Sequence, residues 1–180
     1  GALLCEPDRP YRHVYFPLTA FIALVEAVRG HPPLEMASIG NEGMLGATLA
    51  LGVSTAPLRA VVQGGGSAWR MSAAALQREL ADSPQLRRAL DRYLYMTMTQ
   101  ALKMAACNYF HEVGARLARW LLVVHDRAHT ARFHLTHQSV ADMLGVQRSA
   151  ITIAAGALQK NNLIRYTRGE ICILNRSGLE

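Results

Sequence analysis

The segment from Thr136 to Thr152 constrains the fold of this 180-residue chain more than any other stretch. Thr136 is a good N-cap for a short helix, and small Ala141 on the inner side of that helix lets a second helix cross closely. Gly145 stands where the chain must turn sharply with a positive φ. Gln147 then begins a second helix. This spacing predicts a helix-turn-helix.

The residues that follow predict a β-hairpin behind the second helix. Apolar side chains alternate on both sides of the turn sequence Thr167-Arg168-Gly169-Glu170, and glycine is favoured in such a turn. Helix, turn, helix and hairpin in this order form a winged helix-turn-helix. Arg168 at the hairpin tip would point outward, towards a phosphate if DNA lies there.

The second helix carries the candidate base-reading residues at its start. Polar side chains exposed near the N-terminus of such a helix can reach base edges in the major groove. An ordinary surface arginine is the alternative for Arg148, and we expect the apolar stretch 153–158 to be packed inside. Thr136 and the helix start behind it could hold a phosphate, and Lys160 would contact the DNA backbone or face solvent. The predicted base readers are Gln147, Arg148, Ser149 and Thr152.

Positive charge is concentrated in the same part of the chain. The formal net charge is +6, and residues 111–180 contribute +4 of it from nine basic and five acidic side chains. Such a surplus suits a phosphate backbone, although a solvated basic surface would have the same composition.

The N-terminal part has a different pattern. Residues 10–80 contain short apolar runs separated by Gly and Pro signals, which predicts a sandwich or barrel-like roll. Ser72 can cap a short helix over 73–80, and Ser83-Pro84 can start a long one over 84–109. This long helix carries an apolar stripe that predicts either a helix–helix contact between two copies or packing within the chain. The stripe consists of Leu86, Leu90, Leu94, Thr97, Ala101 and Met104.

These features together resemble the cyclic-AMP receptor protein/FNR (Crp/Fnr) family of bacterial transcription regulators. The resemblance is strongest in Val146-Gln147-Arg148-Ser149 and in the stretch 162–169, and Tyr15-Phe16-Pro17 and the stretch 39–46 are similar to the family's effector domain. It implies an α+β architecture. Residues 1–83 would form a cyclic-nucleotide-binding-like β-roll that starts partway into the fold, 84–110 a dimerisation helix, and 111–180 the winged helix-turn-helix.

The sequence departs from the nucleotide-binding members of that family. The resemblance implies a glutamate for the ribose and an Arg-Ser/Thr pair for the phosphate, but Ala47 replaces the glutamate and Arg59 is displaced from the pair. A cyclic phosphate without its arginine loses charge-assisted bonds. We therefore expect no tight cAMP binding and an unknown small-molecule effector. Any remaining pocket would lie near Gly43, Gly46, Ala47 and Arg59, where the glycines indicate tight turns more than an anion cradle.

Other function classes find little support. The four histidines at 125, 129, 134 and 137 lack the spacing of a zinc site, and Cys5 alone cannot hold an iron–sulfur cluster. We predict no metal, no cofactor and no catalytic residues. The three distant cysteines fit a reducing compartment, and the absence of a signal pattern and of a long apolar run predicts a cytoplasmic protein without a membrane partner.

We therefore expect a homodimeric regulator that binds double-stranded DNA at a pseudo-palindromic operator. It would act by steric block or by contact with RNA polymerase. The alternative is a ligand- or protein-binding module whose winged helix mediates protein contacts.

Overall fold

The computed structural model describes residues 1–30, 32–128, 131–167 and 169–180. Its elements include nine named strands and six α-helices within that part of the chain, together with a short 3₁₀ helix. The strands are β1 Leu3–Cys5, β2 His13–Pro17, β3 Phe21–Glu26, β4 Leu34–Ile39, β5 Arg59–Gly64, β6 Ala68–Ser72, β7 Arg132–His134, β8 Ile164–Thr167 and β9 Glu170–Ile173. The helices are α1 Ala73–Asp82, α2 Pro84–Phe110, α3 Val113–Ala128, α4 His137–Leu144, α5 Arg148–Lys160 and α6 Arg176–Leu179, and the 3₁₀ helix is Ala47–Leu51.

The chain divides into two compact units. The roll unit consists of Gly1–Glu26 and Met36–Met104, and the winged-helix unit consists of Ala27–Glu35 and Ala105–Glu180. The predicted α+β architecture is confirmed. None of the described helices is long and apolar enough to cross a membrane.

The roll is built from two sheets. Strands β1, β5, β3 and β4 form one sheet in that order, and β2 pairs with β6 in the other. Because side chains alternate between the faces of a strand, one face of each sheet turns to a shared core. Val14, Ile22 and Leu76 are at most 2% exposed in that core.

Serine side chains start both helices that follow the roll. The Ala75 N–H donates to Ser72 Oγ over 3.2 Å, and the Leu86 N–H donates to Ser83 Oγ over the same distance. Both predicted helix starts are therefore confirmed. Each cap satisfies one of the backbone donors that a helix end leaves without a partner inside the helix.

The long helix α2 uses part of the predicted stripe within its own unit. Leu90 is buried in the roll core, and Leu86 and Leu94 pack against it. For these three leucines the structure favours the second alternative, packing within the chain, with Leu90 buried and Leu86 and Leu94 partly buried.

The winged-helix unit has its own core around α3, α4, α5 and the sheet β7-β9-β8. Leu121, Val140, Ile151 and Ile164 are at most 1% exposed there. The segment Ala27–Glu35 belongs to this unit, and the Trp120 Nε1–H donates to a Glu35 carboxylate oxygen at 3.5 Å. The three cysteines are free thiols.

Candidate nucleic-acid interface

The turn between α4 and α5 is a two-bond glycine cap. The Val146 N–H donates to the Ala141 carbonyl over 3.0 Å, and the Gly145 N–H donates to the Asp142 carbonyl over 3.3 Å. Gly145 has φ 62° and ψ 41°, in the left-handed region. This is the Schellman arrangement, and it redirects the chain within two residues. The predicted sharp turn at Gly145 is present.

The first helix of the pair is held in place at its start and along its inner face. Thr136 is the N-cap of α4, and its Oγ1 accepts the Ser139 N–H at 3.0 Å. Val140 and Ala141 are fully buried where α4 packs on α5. A methyl group at Ala141 allows this close approach, as its place in the spacing predicted.

The start of α5 carries the exposed polar side chains. Gln147 is the N-cap residue with extended backbone, and Arg148 and Ser149 occupy the first turn. All three residues are exposed, as is Thr152 one turn later. The Arg148 side chain does not fold back into the core, so its guanidinium is accessible to solvent at the start of α5.

One apolar side chain on α5 contradicts the prediction for its second half. Ile153 is 75% exposed, and Gly156 and Ala157 are exposed as well. Ala154 and Ala155 are buried as expected. The reason is helical phase: successive side chains are rotated by about 100°, so Ile153 points away from the side that buries Ile151 and Ala154.

A histidine connects the two helices and the wing, and no local sequence pattern marked it for this role. The His137 ring stacks on Tyr166 with centroids 4.1 Å apart and an interplanar angle of 21°. Its Nδ1 lies 3.0 Å from Thr152 Oγ1, and the Thr152 hydroxyl in turn donates to the Arg148 carbonyl at 3.1 Å. Because that hydroxyl proton is used, Nδ1 carries the ring proton and donates to Oγ1.

This hydrogen-bond pattern leaves His137 Nε2 as an acceptor. The atom is buried and has no hydrogen-bond partner among the described residues. Burial of the ring, and then the charge of Arg148, lower the pKa of His137 below its ordinary value. The imidazole is therefore mostly neutral at pH 7. From α4 it contacts both α5 and β8.

A shallow depression of about 470 Å³ lies beside this histidine. It joins the starts of α4 and α5 to the wing hairpin, so helix N-termini and an arginine face the same space. Such an arrangement favours anions. Its walls are Thr136, His137, Gln138, Arg148, Tyr166 and Gly169.

Of the other two predicted DNA contacts, Lys160 lies within the described residues and is distant from Arg148. Lys160 is the last residue of the 13-residue α5, and twelve steps of helix place it about 18 Å from Arg148. Arg168 lies outside the described residues. Its neighbour Gly169 has φ 85° in the turn between β8 and β9, so the predicted hairpin and its glycine turn are present.

The helix-turn-helix part of the chain is similar to a known protein family. Residues 115–180 match the family described as the Crp-like helix-turn-helix domain. The C-terminal part of the chain is therefore similar to that family. The resemblance to Crp/Fnr regulators is thereby confirmed, and helix-turn-helix domains of this kind place their second helix in the major groove.

Solved structures show the same fold over nearly the whole chain. A CRP-family transcriptional regulator from Thermus thermophilus aligns with a TM-score of 0.78 at 17% identity, covering 99% of this chain and 91% of that one. FixK2 from Bradyrhizobium japonicum aligns with a TM-score of 0.72 at 17% identity, over 99% and 90%. The c-di-GMP-responsive regulator CLP from Xanthomonas campestris aligns at 0.74 and 15%, over 96% and 89%. A search of curated proteins finds no match.

The glycines of the predicted effector pocket form turns in the roll that accompanies the Crp-like domain. The Gly43 N–H donates to the Gly40 carbonyl at 3.2 Å. A Cβ on Gly43 would lie 2.2 Å from the Tyr93 ring, so the ring packs directly on this backbone. Gly46 has φ 94° and precedes the 3₁₀ helix. These contacts fit the tight-turn interpretation.

The two other pocket positions have structural partners of their own. Ala47 is 5% exposed and belongs to the roll core. Arg59 Nε donates to a Glu6 carboxylate oxygen at 3.0 Å. The pocket near these residues stays a prediction, and an anion there would compete with Glu6 for the guanidinium.

Proposed function

We propose that this protein is a sequence-specific DNA-binding transcription regulator that acts as a homodimer. The observation that carries the proposal is the exposed Arg148 at the start of α5, directly behind the glycine cap at Gly145 and beside the wing. The major groove of B-DNA is about 12 Å wide and can accept the N-terminal end of α5.

The residues at the start of α5 have complementary chemistry for base edges. Arg148 can donate two parallel hydrogen bonds to guanine, Gln147 can pair with adenine, and Ser149 can reach either type of base. The Thr152 hydroxyl is held by His137 and the Arg148 carbonyl, so its methyl group is the part offered to DNA. Thr136 at the start of α4 would sit at a phosphate.

The wing and the end of α5 would contribute backbone contacts. Lys160 and Arg168 are proposed as phosphate ligands, together with the +4 net charge of residues 111–180. Contacts of this type position the protein and carry no sequence information.

A second copy of the chain is proposed to cover the exposed apolar stripe of α2. Tyr95, Met98, Leu102 and Tyr109 are 66%, 55%, 66% and 82% exposed, and Ala105 completes a spacing of three and four residues. This repeat is typical of paired helices. The stripe differs from the predicted one, whose first half the roll already covers.

DNA binding is tested by anisotropy titration with the promoter DNA upstream of the protein's own gene. We expect Arg148→Ala to weaken binding by roughly 5- to 150-fold, which corresponds to about 1–3 kcal/mol for a bidentate contact to a base. Arg78→Ala is the matched control, because Arg78 is an exposed arginine of the roll unit, and it should change affinity less than twofold. Equal effects of the two substitutions would remove Arg148 from base reading. No binding by wild type at low salt would favour the protein-contact module instead.

The dimer is tested by sedimentation at micromolar concentration. The wild-type protein should sediment as a species of about twice 19.7 kDa. Leu102→Glu should yield monomers, because dimerisation would bury the charge of the introduced glutamate in the contact between the two α2 helices. Leu51→Glu is the control, since Leu51 is 62% exposed in the roll, and it should stay dimeric. Monomeric wild type would refute this assembly.

We further infer that cAMP is not the effector. The Glu6 carboxylate bound to Arg59 and the buried Ala47 both disfavour a cyclic phosphate at this place. Titration calorimetry should show no heat of cAMP binding, and micromolar affinity would overturn the inference. A different small-molecule effector, contact with RNA polymerase, a cytoplasmic location and the lack of enzymatic activity complete the proposal.

A further inference from the structure

The outward face of α5 carries an apolar side chain at a position where a charged or polar side chain would be hydrated more favourably. Ile153 is 75% exposed. It lies one turn after Ser149, on the same outward face of α5 as Ser149 and Gly156. A single exposed isoleucine is ordinary on a protein surface, but this one stands on the helix proposed to enter the groove.

The neighbouring glycine gives this side chain room to approach a surface. Gly156 is exposed, and a Cβ built there meets no described atom within 4 Å. Position 156 therefore carries no side chain beside Ile153, and the isoleucine is open on that side. A flat apolar group can be buried against Ile153 without a side chain at 156 in the way.

We propose that Ile153 is a specificity-determining residue that contacts the C5-methyl group of a thymine in each half-site. The major-groove edge of thymine is the natural DNA surface that offers a methyl group, and apolar side chains recognise it by contact. The inference rests on the proposed function, because it needs α5 in the groove. 5-Methylcytosine presents its methyl group at the same ring position and would satisfy the same contact.

The helix geometry places this thymine relative to the guanine read by Arg148. Five residues of helix advance about 7.5 Å, and base pairs of B-DNA follow at about 3.4 Å. A helix in the major groove is inclined to the DNA axis, so this advance is an upper limit, and the thymine should lie within about two base pairs of the guanine. Burying one methyl group against Ile153 should strengthen binding about fourfold, from roughly 0.8 kcal/mol per carbon.

The experiment begins with selection of binding sites from a random DNA library by the full-length protein. The enriched half-site should contain a G and, within about two base pairs of it, a T. Deoxyuridine, which lacks the methyl group, is then substituted for each thymidine of that site in turn. We expect one such change per half-site to weaken wild-type binding about fourfold, and a 5-methylcytosine in place of cytosine there to bind more tightly than cytosine.

Substitution at the isoleucine isolates the contact. In Ile153→Ala the same deoxyuridine change should cost less than 1.5-fold, about the limit of measurement, whereas Ile153→Val should keep most of the effect. Alanine is a better helix former than isoleucine, so the variant will fold, and circular dichroism checks this. Failure to enrich any site would refute the proposed function itself. An enriched site whose thymines all tolerate deoxyuridine, or a deoxyuridine effect unchanged in Ile153→Ala, would refute only the role of Ile153.

Discussion

Gly145 offers the sharpest test of the turn that positions the candidate interface. A residue with a Cβ loses about 1–2 kcal/mol in the left-handed conformation, and Gly145 has φ 62°. A Cβ there would lie 2.9 Å from Leu34 Cδ1. This atom is the end of a flexible side chain and can move, so the backbone conformation dominates. We expect Gly145→Ala to lower the free energy of unfolding by about 1–2 kcal/mol, and Gly145→Asn to lower it less.

A second glycine in the same motif serves as the control with the opposite sign. Gly156 lies inside α5 with open space where a Cβ would go. Glycine inside a helix costs about 0.5–1 kcal/mol relative to alanine, so Gly156→Ala should stabilise the protein by about that amount. The two substitutions add the same methyl group, and they differ in the backbone conformation and in the contact with the movable end of Leu34.

Urea unfolding followed by tryptophan fluorescence measures both changes. Trp120 is 6% exposed in the winged-helix unit, whereas Trp69 is 69% exposed in the roll. A Trp69→Phe background leaves Trp120 as the single reporter. A shift of the midpoint at constant slope gives the change in stability. If Gly145→Ala were as stable as its parent while Gly156→Ala gained stability, the glycine-cap argument would be wrong.

The remaining predictions concern pH and helix capping. Burial and then the charge of Arg148 lower the pKa of His137. The unfolded chain therefore takes up this proton at a higher pH than the folded protein does, and the free energy of unfolding falls as pH drops below about 6.5. Between pH 7 and 5 the urea midpoint of His137→Phe should fall less than that of the wild type, and parallel profiles of the two proteins would contradict this. The hydrogen bond from Arg176 lowers the pKa of Asp126, so this exposed pair stabilises the fold above about pH 4 and loses its effect in acid; Asp126→Asn should abolish that small acid-dependent part of the midpoint and leave the rest. Ser72→Ala removes the cap of α1 and should cost about 1 kcal/mol, and calorimetry showing an unchanged melting temperature would argue against the cap.

Features set by neighbouring residues were predictable from the sequence. Ser72, Ser83 and Thr136 cap their helices because a hydroxyl oxygen reaches the backbone two or three residues on. Gly145 and Gly169 mark turns because the required φ is positive. Each of these contacts closes within a few residues, so the sequence pattern contains both partners.

Features that depend on distant partners were not predictable in the same way. Leu86, Leu90 and Leu94 could have faced another copy or the roll, and only the packed structure shows that they face the roll. The contact between Trp120 and Glu35 joins residues 85 positions apart. The exposure of Ile153 is different, since the helical phase set by the inner residues already places it outward. The exposure of Ile153 was therefore predictable from the helical phase, although an apolar residue suggests burial.

The His137 ring has a consequence for how this interface can evolve. It contacts Tyr166 of β8 and Thr152 of α5 at the same time. A mutation at any one of these three sites alters the support of the other two, so under the proposed function a new DNA target sequence is hard to acquire by single mutations here. Among descendants of this protein, the three identities should be inherited or replaced as a set.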